Sequence, residues 1–425
     1  MNHLHSPRLA LFSALALATG LAFAQNPGAI TMPGAELAKP ALLKGPLHTV
    51  AEPVKVDEHF GRFVIESKFG KFSVIGEKML EVRVSELQAI EELQKVQQDS
   101  AFTDALTKTA KGVGKFAESV VTEPAKTVEN IGKGIGTVFG RVGYLAHSGS
   151  NYVSDQASDL VGAGPKDQPK AKPVRAEEPE PPSFIGDPLG YNMARREWAK
   201  KLQIDPYTSN PVLRPLLDKA ATATFAGNFG VTLTLGVVLI PVQYAYQLDD
   251  TVRQSVWNIP AIDLEKANEA KLIALGVPER TVRDLFRNKW FTPTLQTALV
   301  VRLEEFGKIP GVTSVVATAA VTKGEARARF LLESLAMLAT YHKKEARFSK
   351  IKMSNLVPAG VGKDGAIVAA VAIDYGTWSK DAASFAQRQE LAGKKKTLLV
   401  AGKVSPEARQ AIEKAGWSVK QGLRV

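Results

Sequence analysis

Six prolines between Pro165 and Pro182, set among charges of both signs, constrain this chain more than any other stretch. Such a segment lacks amide donors at every proline and has its backbone angles fixed there, so it reads as an extended linker over 163–187 and as the clearest domain boundary. With 425 residues and 45% hydrophobic content, there is material for two or three domains with real cores. No cysteine is present, which excludes disulfides, a thiol nucleophile, a lipobox thiol and thiolate metal sites.

At the amino terminus Arg8 precedes an uncharged run from Leu9 to Ala24 that ends Ala22-Phe23-Ala24. The run is shorter than the roughly 20 apolar residues of a membrane helix, and small residues flank its last aromatic. The expectation is a cleaved secretory signal over 1–24, with Gln25 as the first mature residue. Residues 25–58 follow as a flexible leader, because Pro27, Pro33, Pro40 and Pro46 lie among glycine and alanine.

The segment 59–162 is expected to hold a β-hairpin and then an amphipathic helical region. Phe60, Phe63, Ile65, Phe72, Val74 and Ile75 surround the turn Lys68-Phe69-Gly70-Lys71. Met79, Leu80, Val82 and Val84 extend the sheet or lead in to a helix that Ser85-Glu86-Leu87-Gln88 opens as a capping box, with Leu87, Ile90 and Leu93 on one face. From Thr103 to Ala146 the chain divides into eleven-residue blocks starting at Thr103, Gly114, Ala125 and Gly136. Eleven residues make nearly three helical turns, so the apolar stripe stays on one side of a straight helix. It suits core packing of a helical hairpin, or a flat membrane or partner surface flanked by lysines such as Lys111 and Lys133.

Beyond the linker, 188–345 reads as a helical domain. Tyr191–Leu202, Val212–Ala221, Leu264–Leu275, a helix opened by Pro278, one opened by Thr292-Pro293, and Glu325–His342 all show helical spacing. No charge occurs from Ala220 to Leu248. Gly227, Gly230, Gly236 and Pro241 argue for a buried helix or an amphipathic insertion segment over a membrane span. In 346–425 the runs Ala366–Ile373 and Thr397–Ala401, a helix capped by Ser405, and Trp417-Ser418-Val419 predict a small α/β unit with a parallel strand pair. The fold class expected is therefore α+β, with a mainly helical centre, a small N-terminal β-hairpin region and a C-terminal α/β unit.

Chemistry is sparse. His48, His59, His147 and His342 lack ligand spacing, Glu91-Glu92 and Glu304-Glu305 diverge on their helices, and Trp290, Trp378 and Trp417 read as core. No metal or cofactor is expected. Asp374 is the one weak catalytic or cation-holding candidate, since ligands of open α/β sheets bind beyond the carboxyl ends of strands; the competing reading has it capping Tyr375-Gly376-Thr377. Formal net charge is +11. Together with the leader, this points to an exported, non-enzymatic envelope protein that meets an anionic membrane surface, an acidic envelope polymer or a protein partner, with nucleic acid disfavoured by export. The rival expectations are an exported hydrolase or ligand-binding protein with its site near Asp374, and a subunit of a larger assembly.

Overall fold

The computed structural model describes residues 30–100, 102–105, 190–227 and 249–424. The expected signal at 1–24, nearly all of the eleven-residue repeat, the linker at 163–187 and residues 228–248 lie outside the described residues.

The expected hairpin is present as β5 (Phe60–Ser67) and β6 (Gly70–Ile75), paired in antiparallel register. Alternation decides its two faces: Phe63 lies opposite Val74 and Ile65 opposite Phe72, and all four are buried. The hairpin is part of a larger antiparallel sheet. The far edge of β5 pairs with β4 (Val54–Asp57) near its start and with β3 (His48–Val50) near its end. β1 (Ile30–Met32) lies outside β4 and β2 (Lys44–Gly45) outside β3. The flexible leader expected over 25–58 is thus corrected from Ile30 onward. Val50, Val54 and Val56 fill the core, and the prolines sit between short strands instead of preventing them.

Helix α1 (Glu77–Gln97) covers this sheet. Met79, Leu80, Val82 and Val84 belong to it and not to a strand. Ser85 lies inside the helix, where its hydroxyl donates to the Val82 carbonyl at 2.7 Å, so the expected capping box at Ser85 is also corrected. Leu80, Leu87, Ile90 and Leu93 are fully buried, and the same core continues into α2 (Tyr191–Lys201), α3 (Leu213–Gly227), α4 (Asp250–Asn258) and the start of α5 (Ala261–Ala274). The first described part of the uncharged stretch, Ala220 to Ala223, is packed in protein here. Among the described residues no helix is long and apolar enough to cross a membrane.

Helix ends follow their sequence signals. Gly276, at φ +89, stops α5; Pro278 precedes α6 (Glu279–Phe286). The Thr292 hydroxyl accepts from Leu295 N–H at the start of α7 (Pro293–Phe306). α8 (Val312–Val321) and α9 (Glu325–Lys344) complete the helical centre.

The C-terminal sheet has the order β13-β11-β9-β8-β7. β7 (Phe348–Ser354), β8 (Val357–Gly362) and β9 (Ile367–Val371) are antiparallel neighbours. β9, β11 (Lys396–Val400) and β13 (Trp417–Lys420) run parallel, as the strand–helix–strand pattern requires. A small parallel pair, β10 (Tyr375–Gly376) with β12 (Lys403–Val404), stands beside it. One face carries α9, where Leu331 and Leu335 share a core with Val368 and Leu399. The other carries α10 (Lys380–Ala386) and α11 (Pro406–Lys414), packed on Leu398, Val400 and Trp417. Packing therefore crosses the boundary expected at 345.

The centre meets the sheet at Gly311, whose φ is +98. A Cβ there would fall 1.8 Å from the Ile351 carbonyl oxygen, and Ile351 N–H donates to the Pro310 carbonyl at 2.8 Å. Both the angle and the approach demand glycine. Gly311→Ala is expected to lower the unfolding free energy by at least about 2 kcal/mol, read as a shifted urea midpoint with an unchanged slope.

Candidate functional site

Two groups of buried polar side chains join distant parts of the chain. The first surrounds Asp374, which follows β9 and is only 6% exposed. Gly76 precedes α1 with φ +85 and has no side chain to cap it. The cap comes from 297 residues further along: Asp374 Oδ1 accepts from Glu77 N–H at 3.1 Å, while Oδ2 accepts from Gly61 N–H at 2.8 Å. A carboxylate there also meets the positive end of the helix dipole. Asp374 N–H and Tyr375 N–H both donate to the His59 carbonyl, at 3.1 and 3.0 Å, and Thr377 N–H donates to His59 Nδ1 at 3.2 Å. Arg424 fastens the carboxyl end to the same place, pairing with Glu77 at 2.7 Å and donating to the Leu37 carbonyl.

Neither expectation for Asp374 describes this arrangement. The carboxylate faces the N-terminal sheet and helix rather than its own turn, and both oxygens are engaged by backbone amides. Burial pushes Asp374 up from 3.8 to about 7 against those two hydrogen bonds. Burial likewise raises the nearby Glu333 to about 7, opposed by Lys78 and Arg329, and lifts Glu77, opposed chiefly by Arg424.

The second group lies where α1, the turn from Asp205 to Asn210, and α9 converge around a cavity of about 10 Å³, the lower bound for one water. Arg83 Nη1 donates to Glu86 at 2.9 Å and Nη2 donates to Ser209 Oγ at 2.8 Å. Glu86 also accepts from the Thr208 hydroxyl and from Asn210 Nδ2 at 2.8 Å. Ser209 donates to Glu325, which Arg329 holds with Nε and Nη2 at 2.9 and 2.7 Å. Asp205 Oδ1 accepts from Thr294 Oγ1 at 2.6 Å and from Tyr207 N–H at 2.8 Å, and its burial raises its pKa. Burial alone would raise Glu325 too, but Arg329 and Arg83 outweigh it and hold it at about 2. The turn formers Asp205-Pro206-Tyr207-Thr208-Ser209-Asn210 were visible in the sequence. Their partners Arg83, Glu86, Glu325 and Arg329 were not, because each looks like an ordinary helix-surface charge until the helices pack.

The chemistry these groups perform is mutual neutralisation. Ser209 has a carboxylate and a guanidinium beside it and no imidazole. His48 Nε2 meets the Leu42 carbonyl at 3.0 Å, and His342 Nδ1 accepts from Phe348 N–H at 2.9 Å, far apart in the fold. His147 lies outside the described residues, and among those described no cluster of histidine and carboxylate side chains has metal-binding form. Glu91 and Glu92 pair with Lys68 and Lys95, Glu304 with Lys271, and Glu305 with Arg302, as solvated faces do. Trp417 is core, its Nε1 donating to the Ala386 carbonyl at 3.0 Å, and Trp378 packs against the same cluster; Trp290, expected as core, is half-buried and outside the core clusters, with Lys289 over its ring. No known family model, curated protein or solved structure matches this chain.

Replacing Asp374 by Ala leaves two buried amides without an acceptor and is expected to cost about 3 kcal/mol in chemical unfolding. Unfolded, Asp374 ionises near 3.8; folded, it keeps its proton to about 7. Between those values the fold binds the extra proton, so this contribution is full below about pH 4 and is lost as pH rises through 7. Unfolding free energy should decline from about pH 4 to about pH 7, more shallowly in Asp374→Asn. Glu325 has the opposite sign, stabilising above its ordinary 4.5 and losing that as pH falls toward 2. Arg329→Ala, which strands this carboxylate, is expected to cost about 3 kcal/mol at neutral pH by the same measurement.

Proposed function

We propose that this chain is an exported envelope protein without enzymatic activity, which acts as a binding or scaffold module at an anionic membrane surface or on an acidic envelope polymer. The run Leu9–Ala24 behind Arg8 supports export, and the net charge of +11 supports an acidic counterpart. The observation that carries the reading is the engagement of Asp374. A hydrolase or ligand-binding site at the strand ends needs that acid open to a ligand, whereas its two oxygens are held by Gly61 and Glu77. The buried acids Asp374, Glu86 and Glu325 lock elements of the fold together.

The test is sedimentation of the purified chain with phosphatidylglycerol-containing vesicles, with neutral phosphatidylcholine vesicles and with polyglutamate. Association with an anionic target at low salt, weakening at least about tenfold when salt is raised by an order of magnitude, is expected. Absence of binding to every anionic target at low salt overturns the proposal. Export is checked separately by fractionation and amino-terminal sequencing, with Gln25 expected first.

A further inference from the structure

The parallel part of the C-terminal sheet brings basic turns together at one end. Lys396 is the register partner of both Ile367 and Trp417, so β9, β11 and β13 begin at the same level. The segments that lead into them, residues 363–366, 392–395 and, from the last residue of α11, 414–416, therefore end flush with one another. They contribute Lys363, Lys394, Lys395 and Lys414, all exposed and, among the described residues, without an ion pair. Adjacent strands are about 4.8 Å apart, so the three strand starts span roughly 10 Å, comparable to the Debye length in physiological salt.

The turns are tied down. Ile367 N–H donates to the Lys395 carbonyl at 2.8 Å, and a Cβ on Gly393 would lie 2.9 Å from the Gly365 carbonyl. Lys396 donates to the Ala415 carbonyl at 2.8 Å and lies 5.0 Å above the Trp417 ring. Two acids stand nearby: Asp364, exposed, accepts from Ala366 N–H at 3.0 Å and keeps its charge, while Glu413 pairs with Arg409 at 3.5 Å. Four lysines against the one unpaired carboxylate of Asp364 leave this edge net positive on a fixed platform.

We propose that this lysine rim is the surface by which the protein docks onto an anionic phospholipid bilayer. The inference rests on the function proposed above and specifies its contact face. Level turns present a plane, which suits a layer of phosphate headgroups; a linear polyanion is gripped by a groove that follows its backbone.

The experiment compares the full chain, a rim variant (Lys363→Gln, Lys394→Gln, Lys395→Gln, Lys414→Gln) and a control of equal net charge (Lys55→Gln, Lys71→Gln, Lys266→Gln, Lys308→Gln). Partition onto phosphatidylglycerol vesicles and binding to polyglutamate are measured, with circular dichroism and thermal melts to verify folding. A lysine near an anionic bilayer contributes about fivefold in partition, so the rim variant should lose at least about a hundredfold and the control less than tenfold. Equal losses in the two variants overturn the rim while the envelope reading stands. Binding of the parent to polyglutamate but not to vesicles also overturns the rim and leaves the polymer form of that reading. Binding of the parent to neither target sinks both.

Discussion

Everything in the amino-terminal half depends on a helix that begins without a cap of its own. A helix start exposes backbone amides, and serine, threonine, asparagine or aspartate just ahead of it ordinarily supplies the acceptor. Here that position is Gly76, and the acceptor is Asp374 from the other end of the chain. One carboxylate thereby binds helix α1, strand β5 and the loop after β9 into a single joint. The oxygen on Gly61 fixes the sheet, the oxygen on Glu77 fixes the helix, and the His59 carbonyl closes the joint from the opposite side.

The second polar group performs the same task one turn or more along α1. Arg83 and Glu86 reach from that helix to the turn at Thr208–Asn210, and Glu325 and Arg329 reach it from α9. Between them the two groups prevent α1 from sliding on the helical centre. Apolar burial supplies the attraction between these elements but no fixed register; hydrogen-bonded charges have directional demands, and a slipped helix would strand them in a dry interior. Three acids and two guanidinium groups share the second site, and burial raises the pKa of Asp205, whose Oδ1 is held by Thr294 and the Tyr207 amide.

Much of the fold could be read from local pattern. The alternation of Phe63 and Ile65 with Phe72 and Val74 specified the hairpin, Thr292-Pro293 and Ser405-Pro406 marked helix starts, and the β-branched runs at Ile367 and Thr397 marked parallel strands. Failures came where neighbours decide. Residues 30–58 looked unfoldable because four short strands each bury very little alone, and only pairing along β5 gives Val50, Val54 and Val56 a core. Ser85 resembled a cap because it is followed by a suitable Gln88, yet the helix was already formed from Glu77 by an acceptor that no local window contains. Asp374 stood out in the sequence as a weak catalytic or cation-holding candidate, but its geometry depends on Gly61 and Gly76, which lie some 300 residues away. The polar group at Ser209 was legible only as a turn.

A joint made by residues at opposite ends of a chain also sets an order of events. Gly61 and Glu77 are synthesised some 300 residues before the acid that joins them. Before that acid is made, apolar contact alone is available to align the sheet with its covering helix. The latch is therefore a contact of long sequence separation, and it closes only after both of the elements it joins have been made.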